Sequence, residues 1–403
     1  MAWSAVVPPD RRSQILALVT QIADRATSDR YGPAARWNLS SGQAGEALLL
    51  SWLTAAGVAD HGDAATELLI DAFEGAAGDE PARASFFSGM SGIGFVIEQH
   101  TCLTSRSLPG DPCSQIDEAL TDLLESWTWT GDYDLVDGLV GVGIYCLARL
   151  PRRSAARAVE RIVRLLDEGA EAVGPGVAWF TPPEELPPHQ VAEFPQGFYN
   201  LGVAHGVPGV ISFLAQACAS GVARSGTEQL VEGAVAWLLD QRVTNTASAF
   251  PYSVAPGIEP KPARSAWCYG DPGVAAVLVL AGQVMGRSGW RNAGLAVARN
   301  AALRPPGGTG VVDAGLCHGA GGLAQIFNRL FHATGDELFA LSARSWLAST
   351  VEMTNGTPGR VNGTGFLEGT SGVGLALLAA TTPLEPAWDA ALAISTYGWA
   401  PLR

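Results

Sequence analysis

The chain has 403 residues, 47% of them hydrophobic and only 16% charged, so it is long enough to bury a large core without disulfide staples. Its net charge of −14 and the absence of any Lys- or Arg-rich run exclude a phosphate-backbone binder, and no nucleic-acid partner is expected. Six scattered cysteines (Cys102, Cys113, Cys146, Cys218, Cys268, Cys317) make no disulfide framework, and neither a signal peptide nor a membrane-length apolar run is present. A cytoplasmic protein with reduced thiols is the expectation.

Taken in chain order, the first element is an amphipathic helix. Ile15, Leu16, Leu18, Val19 and Ile22 form its apolar stripe, flanked by Arg11, Arg12, Asp24 and Arg25. Next comes the first of seven Gly-x-x-Gly pairs, Gly42/Gly45, each opening an apolar helical run. The others are Gly89/Gly92, Gly138/Gly141, Gly206/Gly209, Gly270/Gly273, Gly319/Gly322 and Gly369/Gly372. Their starts are 47, 49, 68, 64, 49 and 50 residues apart, which is the mark of a repeat fold.

A second amphipathic stripe, Val159, Ile162, Val163, Leu165 and Leu166, is interleaved with Arg157, Glu160, Arg161 and Arg164. The glycine-led helices differ from it. The run from Gly270 through Val274, Ala275, Ala276, Val277, Leu278, Val279 and Leu280 is apolar all round and must be buried all round. Alternation of the two kinds predicts an all-α protein: an α/α toroid, or double helical barrel, of seven helical hairpins, in one domain over residues 1–403. The glycines would permit tight turns and close helix approach, and Pro208 and Pro272 fit a first helical turn. Strand signals are nearly absent. Two periods are too long, and proline-dense loop excursions at about 174–200 and 243–266 hold the excess. Long loops of this kind tend to flank sites.

In a ring all inner helices start at one rim, so the residues preceding each glycine pair converge. Asp134 stands four residues before Gly138, His205 abuts Gly206, and Cys268 lies two residues before Gly270. Cys317 and His318 directly precede Gly319, and Arg264 lies four residues before Cys268. Two thiolates and an imidazole suit zinc and leave one tetrahedral position for a thiol substrate. Helix N-termini at the rim would favour a thiolate or enolate.

Blander readings stand beside these. Lone cysteines are commonly small hydrophobes, the reading given to Cys102, Cys113, Cys146 and Cys218, and one that stays open for Cys268 and Cys317. His61, His100, His189 and His332 are read as packed or capping residues, and His205 could be one too. Asp132 and Asp137 compete with Asp134, and either of them could be a helix cap. Arg264 could simply pair with an acidic loop residue, and Glu368 reads as a cap or a solvated charge.

The strings Trp267-Cys268-Tyr269-Gly270, Cys317-His318-Gly319, Ala204-His205-Gly206-Val207-Pro208-Gly209 and Tyr133-Asp134-Leu135-Val136-Asp137-Gly138 resemble the lanthipeptide cyclases of the lanthionine synthetase C-like family. The resemblance covers about residues 12 to 380 and is similar to the stand-alone nisin-type cyclases, with no dehydratase or kinase domain attached. It implies a zinc-dependent cyclase (one Zn2+ per chain) that forms (methyl)lanthionine thioether rings. A peptide Cys thiolate would add to dehydroalanine or dehydrobutyrine in a dehydrated precursor peptide carrying its leader. It implies Cys268, Cys317 and His318 as zinc ligands and His205 as the acid or base for the enolate proton. Asp134 would assist His205, and Arg264 and Tyr269 would stabilise enolate charge. A dehydratase and an exporter are the implied partners, through which the protein could associate peripherally with a membrane.

The same residues would serve a protein that adds glutathione to dehydroamino acids. A non-catalytic, zinc-stabilised peptide-binding scaffold is a further reading. Toroidal glycosidases and terpenoid cyclases need paired carboxylates or an Asp-rich metal motif, which this rim lacks.

Overall fold

The computed structural model describes residues 2–28, 37–78, 83–125, 132–222, 226–244, 246–356 and 359–395. In chain order the helices are α1 (Pro9–Ser28), α2 (Gln43–Ala55), α3 (Gly62–Gly78), α4 (Met90–Thr104), α5 (Pro112–Glu125), α6 (Leu139–Ala148) and α7 (Arg153–Glu168). They continue with α8 (Pro188–Glu193), α9 (Val207–Ala219), α10 (Thr227–Asp240), α11 (Asp271–Val284), α12 (Ser288–Leu303), α13 (Ala320–Thr334), α14 (Glu337–Asn355) and α15 (Thr370–Thr381). Each of the seven periodic Gly-x-x-Gly pairs opens one of the buried helices α2, α4, α6, α9, α11, α13 and α15, as the repeat predicts. In α11 every residue from Asp271 to Gly282 is buried. In α7 the expected stripe is buried while Arg157 and Arg164 face solvent.

Contacts cluster the chain into two compact units. One is built on Met1–Leu123 with Val311–Ala390, the other on Leu124–Gly310 with Ala391–Thr396. In the first, α13, α15, α2 and α4 lie side by side as neighbours; in the second, α6, α9 and α11 do. Four of the buried helices pack chiefly on the amphipathic helix that follows: α2 on α3, α6 on α7, α11 on α12, α13 on α14. Among the described residues the last buried helix, α15, has no helix of this kind after it and packs instead on α1, from the opposite end of the chain. A partly buried Arg329 fixes part of the first unit by pairing with Asp389 at 2.6 Å and stacking over Trp3.

The glycine pairs have a more specific cause than loose turns. Before each buried helix the chain folds back along the helix start, so closely that side chains do not fit. A Cβ on Gly45, Gly92, Gly209, Gly273, Gly322 or Gly372 would strike the carbonyl oxygen six residues earlier. Of the leading glycines only Gly270, with φ 101°, also needs the left-handed region. The fold-back has an energetic purpose, because the first N–H groups of a helix have no partner inside it. Here Leu139, Val140 and Gly141 donate to the carbonyls of Asp132, Tyr133 and Asp134, seven residues back. Ala320, Gly321 and Gly322 do the same to Asp313, Ala314 and Gly315. Thr370, Ser371 and Gly372 do so to Gly363, Thr364 and Gly365. The N-termini of α6, α13 and α15 are therefore occupied by backbone carbonyls rather than left open to an anion.

Replacing Gly322 by Ala should test this. Its Cβ would push on the carbonyl of Leu316, directly before Cys317, so a loss of about 1–3 kcal/mol is expected in urea unfolding. An unchanged midpoint would show that the fold-back tolerates a methyl group.

The two excursions are not structureless. Residues Glu171–Val173 (β1) and Gly176–Ala178 (β2) form a hairpin. Strands Phe180–Thr181 (β3), Phe198–Asn200 (β4) and Ser253–Val254 (β5) form an antiparallel sheet in the order β3-β4-β5. This sheet joins one excursion to the other. Asp271, buried at the start of α11, accepts the N–H groups of Ala249 and Phe250 and ties the second excursion to the helix it precedes. Strands of two or three residues are too short to show alternation in a sequence.

Candidate metal centre and proton-transfer site

The loops before the glycine pairs are laced to one another by their backbones. In the unit built on Leu124–Gly310, the N–H of Leu135 donates to Ala204 O, and the N–H of Ala204 to Cys268 O. In the other unit Ser40 donates to Phe87 O, Leu367 to Ser40 O, and Cys317 to Leu367 O. Phe87, Ser40, Leu367, Cys317, Cys268 and Ala204 all stand two residues before a leading glycine. Cys268 and Cys317 thus occupy the same place in successive repeats.

That equivalence has a consequence for chemistry. The ligand atoms of Cys268, Cys317 and His318 all lie within 4.8 Å of one another, a group that could hold a metal ion. Cys268 is buried, while Cys317 and His318 are partly exposed. His318 Nε2 lies 3.3 Å from Asp313 Oδ2, and Asp313 Oδ1 accepts the N–H of Gly315 at 2.8 Å. A carboxylate fixed by its own loop against one ring nitrogen orients the imidazole.

Asp134 and His205 form the second part. Asp134 is buried, and its Oδ1 accepts the N–H groups of Asp137 and Gly138, at 2.8 and 3.1 Å. Its Oδ2 meets His205 Nδ1 at 2.5 Å. The competitors are thereby sorted, since Asp132 and Asp137 are exposed and neither makes the contact to His205. The His205 side chain is 42% exposed, and with Nδ1 taken, Nε2 is the nitrogen left to exchange a proton. Burial alone would lower its pKa. The hydrogen bond and charge of Asp134 outweigh this, aided by Asp137 and the Cys268 sulfur, and hold the imidazole above its ordinary value.

Tyr269 lies with its ring 6.4 Å from that of His205 and nearly parallel to it, at 26°. Its hydroxyl oxygen accepts from Asn200 Nδ2 at 3.1 Å. Arg264 is exposed, and among the described residues no hydrogen bond or ion pair joins it to these groups. Glu368 takes a hydrogen bond from Asn362 and staples its own loop. Among the remaining histidines, His100 sits fully buried between Ser51 and Thr66, and burial drives its pKa down to about 4. His332 is packed between Trp3 and Asn328, and His189 is exposed. None of the six cysteines is in a disulfide, and Cys102 proves exposed rather than a buried hydrophobe.

Asn200 and Asp313 escape a reading that looks only at residues next to the glycines. Both stand six residues before a leading glycine, as do Asp132 and Arg264. That offset is where the folded-back loop passes the helix start, and it was the available signal.

Glycine-led helical hairpins, a Cys–Cys–His group that could hold a metal ion and an Asp–His pair define a helical-hairpin protein with a candidate metal centre. Residues 33–393 match the family model described as lanthionine synthetase C-like protein, and the chain belongs to that family. Nisin biosynthesis protein NisC of Lactococcus lactis subsp. lactis is 23% identical over 256 residues. That alignment takes in 61% of this chain and spans only 60% of the relative's length. The solved structure of nisin cyclase has a TM-score of 0.79 at 19% identity, over 96% of this chain and 98% of that one. At that identity the likeness speaks for the fold, which is the all-α, α/α toroid expected from the repeat. No helix among the described residues is long and apolar enough to cross a membrane.

Proposed function

We propose that this protein is a zinc-dependent cyclase that closes thioether rings in a dehydrated precursor peptide still carrying its leader. The observation that carries the reading is the gathering of three soft donors, Cys268, Cys317 and His318, within 4.8 Å in a lanthionine synthetase C-like chain. Two thiolates and one imidazole would hold zinc with a coordination position left over, and zinc bound there would lower the pKa of an incoming peptide thiol.

The chain's own residues then have the following roles. As sulfur bonds to the alkene β-carbon, the π pair moves onto the carbonyl oxygen, giving an enolate. The thiol proton is lost, Cα gains a proton, and the peptide is isomerised without change of mass. His205 Nε2 delivers the proton to Cα. It is suited to this because Asp134 keeps the ring charged further up the pH scale and fixes its orientation. Tyr269, beside Cys268 and against His205, donates its hydroxyl hydrogen to the enolate oxygen. Arg264 adds positive charge at the same rim when substrate is present. A dehydratase must act first, since the substrate is an alkene made from Ser or Thr.

Zinc-loaded protein mixed with a dehydrated peptide containing cysteine should consume free thiols while the peptide mass stays constant. A thiol count that does not fall faster than in buffer would refute the proposal.

A further inference from the structure

Asn200 closes strand β4 and stands six residues before Gly206, and the residue is 4% exposed. Its amide is held at both ends. Oδ1 accepts the backbone N–H of Gly202 at 2.8 Å, and Nδ2 contacts the hydroxyl of Tyr269 at 3.1 Å. A backbone N–H can only donate, so the first contact fixes which end of the amide is oxygen. The other end is then NH2, which can also only donate. The Tyr269 oxygen must therefore accept from Asn200, and its own hydrogen must point elsewhere.

The surroundings show that this contact is built. Gly202 leaves room for the Tyr269 ring, because a Cβ there would come 2.5 Å from the Cys268 carbonyl and 2.6 Å from the ring. The turn that Asn200 caps is therefore shaped around Tyr269 and the backbone of Cys268. Tyr252 meets the same ring edge-on at 6.4 Å, so the phenol is held between Tyr252, His205 and Asn200.

We infer that Asn200 is a positioning residue that makes Tyr269 a one-way donor, by holding the amide NH2 against the phenol oxygen and turning its hydrogen toward the reacting peptide. The inference rests on the cyclase reading above, in which a carbonyl oxygen acquires negative charge. A donor aimed at such an oxygen accelerates reaction, whereas a phenol presenting lone pairs there would oppose it. Asn200 itself touches no substrate and acts through Tyr269.

The test is a double-mutant cycle. Asn200→Asp keeps an acceptor for Gly202 but replaces the NH2 by a second oxygen, so Tyr269 would donate inward to the carboxylate. Asn200→Ser keeps a turn acceptor and removes the donor. The measurement is kcat and KM for thiol consumption with a dehydrated, cysteine-containing peptide, with zinc content and circular dichroism taken on each protein. Tyr269→Phe is expected to lower kcat about 100-fold. Asn200→Asp should match it, Asn200→Ser should lose about tenfold, and KM should stay near wild type in all three. In the Tyr269→Phe background neither Asn200 substitution should lower kcat further.

Wild-type kcat in Asn200→Asp, or the same fold-loss with and without the Tyr269 hydroxyl, would overturn the inference. If Asn200→Asp does not fold, Asn200→Ser in the two backgrounds decides by the same rule. Wild-type protein that consumes no thiol sinks the cyclase reading itself. Active wild type with neutral Asn200 variants sinks only the role given to Asn200.

Discussion

Cys268→Ala protein should leave purification with less than about a tenth of the zinc carried by wild type, for which about one zinc per chain is expected, and should close no rings. Removing one of three donors leaves two, too few to hold the ion against solvent and buffer. The loop itself should survive, because its position does not depend on sulfur. Trp267 Nε1 donates to Leu392 O at 2.7 Å, Cys268 O accepts from Ala204, and the helix that follows is buried along its length. Helix content by circular dichroism should therefore stay near wild type while metal analysis falls. Asp313→Asn gives the graded counterpart. It keeps an acceptor for Gly315 but weakens the contact that orients His318, so zinc affinity should drop about 10- to 100-fold with binding still measurable. Zinc retained in full by Cys268→Ala would remove the metal centre from the argument.

His205→Ala should do the opposite, keeping its zinc and its fold while losing about 10²- to 10⁴-fold in kcat for ring closure. The ring is partly exposed and, among the described residues, hydrogen-bonds to Asp134, so the cost to stability is smaller than the cost to proton transfer. Normal turnover by this variant would refute its role and would favour a zinc-stabilised binding scaffold. A pH profile separates the parts further. With its pKa held above the ordinary imidazole value, His205 keeps its proton to higher pH, so the rate should fall as pH rises through that folded-state value. Asp134→Asn removes the largest influence holding it up, so the fall should move to lower pH. The stability given by the charged pair follows the same sign. It is present in full below the unfolded imidazole pKa and lost as pH rises through the folded one.

How much of this was written in the chain can be judged residue by residue. The seven glycine pairs and the all-round apolar runs behind them located every buried helix, because a period repeated seven times averages out local ambiguity. Asp134, His205, Cys268, Cys317 and His318 were legible for the same reason, each standing at a fixed short distance before a leading glycine. The stripe of α7 matched its burial because amphipathic periodicity is a one-helix property.

Other features depended on how separate segments meet. That α1 packs on α15 could not be read, since nothing local to either helix names a partner more than 300 residues away. The sheet joining the two excursions was invisible because strands of two and three residues carry no pattern, and their pairing is set by the segments between them.

The sequence by itself determined which residues stand at the loop tips, since periodicity places equivalent positions together whatever the details. Only the tertiary structure decided what each loop backbone does there. Folding back against the helix start uses the first-turn N–H groups internally, bars side chains at the glycines, and brings Asn200 and Asp313 against Tyr269 and His318. Those are through-space contacts between groups whose separation along the chain says little about which way an amide or a carboxylate will face.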